Sequence, residues 1–150
     1  MTIEDLTIYT IASIRKYVSA APIGVPVIWH QQAFEKDELR QDEVQILTSL
    51  TFPDRGSKTE IYGIVNLQAL IKTKVVPTDV YYHTRLKARL LDVLYKVMPL
   101  YKVGGTEPKY DKSQWGILRK IPSESITVTP TSIDVPDASV VEVFYEIQPC

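Results

Sequence analysis

The sequence predicts an α+β fold, with a mostly antiparallel sheet and two helices packed on one face. Residues 61–73 alternate between apolar and polar side chains and predict a strand, whereas residues 79–98 have the apolar spacing of a helix. Short runs rich in β-branched and aromatic residues lie on both sides of this pair. No repeat, low-complexity tract or shift in composition divides the 150 residues, so we expect a single domain over residues 1–150.

The first helix is predicted at about residues 3–20. Thr2 and Asp5 have the spacing of a capping box, in which each side chain satisfies a backbone N–H of the other residue. Pro22 and Gly24 then end the helix. The apolar side of the helix is formed by Ile8, Ile11, Ile14 and Val18.

Two strands are predicted between this helix and residue 61. Residues 25–30 form a short β-rich run, and residues 44–52 form a longer one with most of its apolar side chains on one face. The charged segment 35–38 between them is typical of an exposed loop. Residues 53–57, with the sequence Pro-Asp-Arg-Gly-Ser, predict a turn before the next strand.

The strand at 61–73 and the helix at 79–98 are expected to hold the core. Val65, Leu67, Ala69 and Ile71 occupy alternate positions of the strand, so one of its faces packs on a core. Thr78 is the expected N-cap of the helix, and Pro99 closes it. The apolar face of the helix is predicted to contain Tyr82, Leu86, Leu90, Val93, Leu94 and Val97. Its separate charged stripe contains Arg85, Arg89, Asp92 and Lys96, which makes the helix amphipathic.

Beyond Pro99, residues 103–108 predict an irregular connection in which Gly104 and Gly105 form a flexible turn. Short strands are predicted at 115–120 and at 126–128, and a longer one at 140–147. The last of these alternates apolar positions such as Val141 and Val143 with Glu142 and Glu146.

Two helices can cover only one face of this sheet, and the alternation places a mixed set of residues on the other face. A solvated face is usually more uniformly polar, whereas apolar and aromatic side chains beside amides and charges are typical of a wet protein interface. We therefore expect an oligomer interface that contains Tyr62, Ile64, Leu70 and Phe144. The same face is predicted to carry Leu47, Asn66, Gln68, Lys72 and Val140.

Composition limits the classes of partner. The hydrophobic fraction of 45% is ordinary for a soluble globular protein, and the net charge of -1 gives no field to attract nucleic acid or an anionic membrane. Cys150 is the one cysteine, so no internal disulfide forms and a reducing compartment is favoured. We expect no signal peptide and no membrane-spanning segment, because neither apolar pattern is present.

The sequence contains no recognisable catalytic or metal-binding constellation. His30 and His83 are the two histidines, and neither has the additional ligands in its vicinity that a metal site requires. No nucleophile motif, phosphate-binding glycine loop or calcium loop is present. The charged helix stripe is interpreted as a solvated face, and the nine tyrosines are too scattered to form a base-stacking platform. We therefore expect a structural protein, with no cofactor, rather than an enzyme.

The order of elements resembles a known family. An N-terminal helix precedes strands separated by a charged loop, and the strand Ile-Tyr-Gly-Ile-Val-Asn-Leu-Gln-Ala at 61–69 feeds the long helix. The strand Val-Val-Glu-Val-Phe-Tyr-Glu at 140–146 lies close to the C-terminus. This pattern is similar to that of the tail terminator (tail-completion) proteins of long-tailed bacteriophages. The resemblance covers nearly the whole chain as an order of elements and is carried by no diagnostic motif.

The resemblance implies an α+β subunit of a hexameric ring in the neck of a virion, assembled in the host cytoplasm. Such a ring caps the tail tube, ends its polymerisation and joins it to the head connector. The implied partners are identical subunits, the major tail tube protein and a head-completion or connector protein, with DNA only as passing cargo and no membrane. The resemblance also implies that segment 48–59 projects as a hairpin towards the tail tube. It carries over no functional residue.

Other functions remain open on the sequence alone. Another neck component, such as a head-completion or tail-tube-like protein, has the same general properties. A small α+β enzyme or ligand-binding domain is the alternative from a different class. A closed ring in solution favours the first group, and a monomer with a deep pocket favours the second.

Overall fold

A computed structural model describes residues 2–30, 42–53, 61–74, 76–104, 109–122, 127–128 and 137–150, and the structural statements below refer to these residues. Among them, no helix is long and apolar enough to span a membrane. Two helices and seven strands follow one another along the chain. They are α1 (Ile3–Ala20), β1 (Val27–His30), β2 (Glu43–Thr51), β3 (Gly63–Thr73), α2 (Tyr82–Leu94), β4 (Met98–Gly104), β5 (Lys109–Lys120), β6 (Thr127–Val128) and β7 (Asp137–Pro149).

The strands form one sheet in the order β1-β2-β3-β7-β5-β4, with β6 also paired to β7. The short β1 runs parallel to β2, and the other pairs of described strands are antiparallel. The prediction of an α+β fold with a mostly antiparallel sheet is confirmed. Strand β3 lies in the middle of the sheet, because β2 pairs along one of its edges and β7 along the other.

Both helices pack on the same face of the sheet, as predicted. Val65, Leu67, Ala69 and Ile71 of β3 are fully buried in a single core cluster. The cluster also contains Ile14 and Val18 of α1, Leu86, Leu90 and Leu94 of α2, and the inward residues of β2 and β7. The apolar alternation of β3 and the helical spacing of α2 therefore identify the two sides of one interface.

Helix α1 begins and ends at the residues that its sequence signals indicate. The Thr2 side chain accepts a hydrogen bond from the Asp5 N–H at 3.1 Å, and the Asp5 carboxylate accepts one from the Thr2 N–H at 3.3 Å. The helix ends at Ala20, and Gly24 in the following segment has a φ of 87°, a left-handed conformation that favours glycine.

The sheet curls around α1. The Arg15 guanidinium lies 5.2 Å from the centre of the Trp29 ring in β1, at one edge of the sheet. The Tyr17 hydroxyl donates to the Pro99 carbonyl in β4, at the opposite edge, at 2.7 Å. Because α1 contacts both edges of the sheet, the face that the helices cover is concave. The strand residues that alternate with the core residues lie on the opposite, convex face.

Helix α2 is shorter than the predicted 79–98. It spans Tyr82–Leu94, and the residue at its N-cap is Tyr81, which makes no side-chain capping hydrogen bond. Asp79 precedes the helix, where its carboxylate accepts a hydrogen bond from the Tyr81 N–H at 3.1 Å and pairs with Arg85. Val97 was predicted on the apolar face and is instead 50% exposed, beyond the end of the helix.

Strand β4 begins at the last residue of the predicted helix, Met98, and ends at Gly104, within the residues predicted as an irregular connection. Met98 and Leu100 are buried on either side of Pro99, so the segment has the period of a strand. A residue before proline disfavours the helical conformation, which is why Met98 starts a strand. Its partner β5 is correspondingly longer than the predicted 115–120.

The other predicted strands, loop and hairpin can be compared with the structure only where its residues are described. The late strand predicted at 140–147 is Asp137–Pro149, and the one at 126–128 is Thr127–Val128. The charged loop at 35–38 lies outside the described residues. In the predicted hairpin at 48–59, residues 48–51 belong to β2 and residues 54–59 lie outside the described part of the chain.

We expect Leu90→Ala to lower the free energy of unfolding by about 2–5 kcal/mol, because it leaves a cavity between α2 and the sheet. Leu90 is fully buried, whereas Val97 is 50% exposed just beyond the same helix. Val97→Ala is therefore the control, with an expected change below about 0.5 kcal/mol. Urea unfolding curves measure both values, and equal changes for the two variants would contradict this packing.

Candidate functional site

The candidate site is the sheet face opposite the helices, which we call the outer face. Because side chains alternate along a strand, burial of Val65 and Leu67 under the helices places Ile64, Asn66 and Gln68 on this face. The pairing register sets three neighbouring rows across β2, β3 and β7. These rows are Thr51, Ile64 and Glu146; Ser49, Asn66 and Phe144; and Leu47, Gln68 and Glu142.

Two of the four predicted interface residues meet on this face. Ile64 and Phe144 are diagonal neighbours on β3 and β7, since Ile64 pairs with Glu146 and Phe144 pairs with Asn66. Both side chains are partly buried in the isolated subunit. They form the apolar part of the outer face.

Tyr62 does not join them. It lies just before β3, and its ring centre is 5.9 Å from that of Trp115. The Trp115 ring is in turn 6.4 Å from Tyr9 of α1, so this aromatic group connects to the helix side of the sheet. A bulge in the β4–β5 pairing at Tyr101 shifts the alternation of β5 next to Trp115. Tyr62 itself precedes the first residue of β3, so the alternation of that strand does not extend to it.

Leu70 lies on the outer face but is only 9% exposed within the subunit. Its neighbours Gln45 and Lys72 are also buried. The Lys72 ammonium is 3.2 Å from the Glu43 carboxylate, which also accepts a hydrogen bond from the Gln45 amide at 2.9 Å. This end of the face is a buried charged network, so Leu70 is not part of the accessible surface.

Polar side chains are held in place at the centre of the outer face. The Glu142 carboxylate accepts a hydrogen bond from the Gln68 amide at 2.7 Å, and the Asn66 amide lies farther away at 3.5 Å. The Glu146 carboxylate accepts from the Gln148 amide at 2.8 Å. Within the described residues, neither carboxylate has a basic group within 4.0 Å.

The Asn66 carbonyl oxygen adds unused hydrogen-bonding capacity to this face. It is buried and has no hydrogen-bond partner among the described atoms. An unsatisfied buried acceptor costs about 1–3 kcal/mol, and native proteins retain few of them. Together with Ile64 and Phe144, such a group is typical of the core of a protein interface that contains both apolar and polar contacts.

The one arrangement with catalytic geometry in the described residues involves His83. Its Nε2 lies 2.8 Å from the Ser139 hydroxyl, and its Nδ1 lies 2.7 Å from the Thr73 hydroxyl. A serine beside a histidine has the geometry of an activated nucleophile. Ser139 is only 5% exposed, however, so its hydroxyl is not presented to a substrate. The three side chains instead fix the start of α2 to β3 and β7.

The other candidate catalytic or metal-binding residues do not form a cluster in the described structure. The described residues contain no group of three or more His, Cys, Asp or Glu side chains that could hold a metal ion. His30 lies in β1, and its Nε2 is buried without a hydrogen-bond partner in the described structure. Cys150 is exposed after β7, where its thiol lies 3.6 Å from the Gln114 carbonyl oxygen.

Hydrogen bonds from tyrosine hydroxyl groups connect both ends of α2 to residues in or next to the sheet. The Tyr82 hydroxyl donates to the Asp42 carboxylate, and this hydrogen bond raises the pKa of Tyr82 above its usual value. At the other end, the Tyr145 hydroxyl of β7 donates to the Leu94 carbonyl oxygen. Burial raises the pKa of Tyr145, since the ionised phenolate would lose its water.

Comparison with known proteins identifies the fold. No protein-family model matches the chain, and no curated protein matches it in sequence. A chain from the virion of a native gene transfer agent particle has a similar structure, with a TM-score of 0.55 and 10% identity over 99% of this chain and 100% of that one. A second solved structure gives a TM-score of 0.53 and 15% identity over 99% of this chain and 96% of that one. At these identities the likeness establishes a shared fold over nearly the whole length.

The Tyr145 hydrogen bond can be tested by pH. We expect Tyr145→Phe to lower the free energy of unfolding by about 1–3 kcal/mol at neutral pH, because the Leu94 carbonyl loses its partner. Above a pH of about 10, tyrosine ionises in the unfolded chain but not at this buried site. The unfolded state then binds fewer protons, so the stability that Tyr145 contributes falls as the pH rises.

The stability difference between the wild type and Tyr145→Phe should therefore narrow above that pH, as measured by urea unfolding. Tyr81→Phe is the control, because Tyr81 is 65% exposed and its removal should change little at any pH. A difference that stays constant into the alkaline range would contradict the buried, protonated phenol.

Proposed function

We propose that this chain is a structural subunit of a phage-like virion and acts there as a tail terminator. In this role, identical subunits form a hexameric ring that caps the tail tube, ends its polymerisation and joins it to the head connector. The observation that carries the proposal is the end-to-end fold similarity to a chain from a gene transfer agent virion, which covers 99% of this chain and 100% of the other. The order of elements in the sequence, which resembles that of tail terminators, supports the finer assignment.

The outer face supports a role in assembly. Ile64 and Phe144 lie beside Asn66 and Glu142, whose hydrogen-bonding groups are only partly used within the subunit. A stable contact between protein subunits buries about 1,200–2,000 Å² in total, with an apolar centre and directed hydrogen bonds. The outer face offers both kinds of contact, and the helices cannot cover it because they occupy the opposite side of the sheet.

A tail terminator acts by binding and by shape, and its function needs neither a cofactor nor a catalytic residue. The proposed partners are identical subunits, the tail tube protein and a head-completion or connector protein. DNA passes through the ring only as cargo, and the net charge of -1 suits a channel that does not retain it. The protein would be assembled in the host cytoplasm and remain in the virion neck.

Another neck component is the alternative within the same class. A head-completion or tail-tube-like protein also assembles into rings and would use the same outer face. The phenotype of particles made without the protein separates these functions. Loss of a terminator gives tails of uncontrolled length, loss of a head-completion protein gives normal tails that fail to join heads, and loss of a tube subunit gives no tails.

We expect Ile64→Asp to fold normally but to fail to complement particles that lack the protein. The aspartate would be desolvated at the subunit contact without a partner, which opposes assembly. Tail lengths and head attachment in electron micrographs measure the defect, and circular dichroism verifies folding. Ile8→Asp is the matched control, because Ile8 is 51% exposed on α1 and should tolerate the charge.

Leu70→Asp should behave differently from Ile64→Asp. Leu70 is buried within the subunit, so a charge at this position should lower the free energy of unfolding and not only weaken assembly.

If particles with Ile64→Asp and with Ile8→Asp are equally normal, the outer face is not the assembly surface. If particles made without the protein have normal tails attached to heads, the proposed function is wrong.

A further inference from the structure

A closed ring of identical subunits needs two different patches on each subunit, because its contacts run head to tail. The outer face supplies one patch. The second patch must lie elsewhere on the surface and must complement the first. Helix α2 is the candidate, since Leu86, Leu90 and Leu94 face the core and its other side faces away from the sheet.

Arg89 on the outward side of α2 and Lys96, two residues beyond the end of the helix, form a basic stripe. Both side chains are exposed, and Lys96 lies in a turn in which its N–H donates to the Val93 carbonyl, so seven residues at about 1.5 Å each separate the two by about 10 Å. No acidic group of the described residues lies within 4.0 Å of either side chain. Arg85, by contrast, pairs with Asp79 within the subunit. We call the surface formed by Arg89, Asp92 and Lys96 the α2 stripe.

The outer face carries the opposite charges at a similar spacing. Glu142 and Glu146 are four residues apart on β7 and therefore point to the same side, about 14 Å from each other. Phe144 lies between them on the same face. The amides of Gln68 and Gln148 hold the two carboxylates, and no basic group of the described residues lies within 4.0 Å of either. Arg119 of β5 is the register partner of Glu146 but does not form an ion pair with it at that distance.

We infer that the α2 stripe of one copy docks on the outer face of the next copy, with Arg89 and Lys96 beside Glu142 and Glu146. This contact rests on the proposed function, because it defines how the subunits of the ring meet. The two spacings differ by only about 4 Å, which the long arginine and lysine side chains can span. The occupant of the outer face is thus a second copy of the chain.

Asp92 lies between the two basic residues of the stripe and is also accommodated. In the docked arrangement it is opposite the row that contains Phe144 and Asn66. The Asn66 amide donates one hydrogen bond to Glu142 at 3.5 Å within the subunit, and its second N–H can donate to a carboxylate on the neighbouring copy. The two basic groups of the stripe therefore meet the two carboxylates of the outer face, and the Asp92 carboxylate between them meets the Asn66 amide.

Apolar residues next to both patches favour the same contact. Tyr95 and Val97, which follow the last residue of α2, are 42% and 50% exposed. Ile64 and Phe144 of the outer face are partly buried in the isolated subunit. Contact between these side chains removes apolar surface from water, which is the dominant favourable term in association. The charges then set the register, because a mismatched charge desolvated at an interface is strongly unfavourable.

The contact is tested with two charge-reversal variants and a control. The helix variant is Arg89→Glu with Lys96→Glu, and the sheet variant is Glu142→Lys with Glu146→Lys. Lys74→Glu with Lys102→Glu is the control for the helix variant, because both lysines are exposed, neither belongs to the α2 stripe, and the change in net charge is the same. Native mass spectrometry measures ring formation of each protein alone and on purified tail tubes, and circular dichroism verifies folding.

We expect each variant alone to assemble at least about tenfold more weakly than the wild type, because like charges then meet at every contact. The control should assemble normally. An equimolar mixture of the helix and sheet variants should restore rings in which the two variants alternate. In such a ring the reversed stripe of one variant meets the reversed face of the other, and the remaining contacts are of the wild type.

The other outcomes are distinguishable. Rings formed by both single variants as tightly as by the wild type would place the contact elsewhere while leaving the proposed function intact. Failure of the mixture, with both variants folded, would show that the two patches do not meet each other. A wild-type chain that forms no ring, even on tail tubes, would overturn the proposed function and this contact together. If a reversal prevents folding, Arg89→Gln and Glu146→Gln replace it, and each should weaken assembly to a smaller extent.

Discussion

The burial of one face of β3 is the constraint on which the rest of the structure depends. Val65, Leu67, Ala69 and Ile71 are fully buried beneath both helices, and β3 is paired on both edges. Because side chains alternate strictly along a strand, a one-residue shift in register would move all four into solvent. The same constraint holds Ile64 and its neighbours on the outer face, so the surface proposed for assembly is a direct consequence of the core.

The helices are fixed to this sheet by hydrogen bonds as well as by apolar contact. Tyr145 binds the last carbonyl of α2, and His83 binds hydroxyl groups at the adjacent ends of β3 and β7. These bonds limit how α2 can rotate or slide on the core. A helix held in this way presents the same outward residues in every copy, which a repeating contact between subunits requires.

The sequence predicts those features that depend on local periodicity. Alternation at Val65 to Ile71 and helical spacing at Leu86, Leu90 and Leu94 identify the core and the fold class, and the capping box at Thr2 identifies the start of α1. The end of α2 differs from the prediction because Val97 continues the three- and four-residue spacing of the helix although the chain leaves the helix at Leu94 and Met98 begins β4. The burial of Leu70 and the contact between Gln68 and Glu142 depend on pairing between distant strands, which no local pattern contains. The contact of Tyr62 with Trp115 likewise joins segments that are distant in the sequence.

In the proposed ring, one subunit offers a helix side and a sheet side to two different neighbours. Electron cryomicroscopy of the protein assembled on tail tubes would show both contacts. We expect a closed ring in which Ile64 and Phe144 of each copy contact α2 of the next, while the core within each copy is unchanged. A ring in which the outer face is exposed to solvent, or particles in which the protein is absent from the tail end, would contradict it.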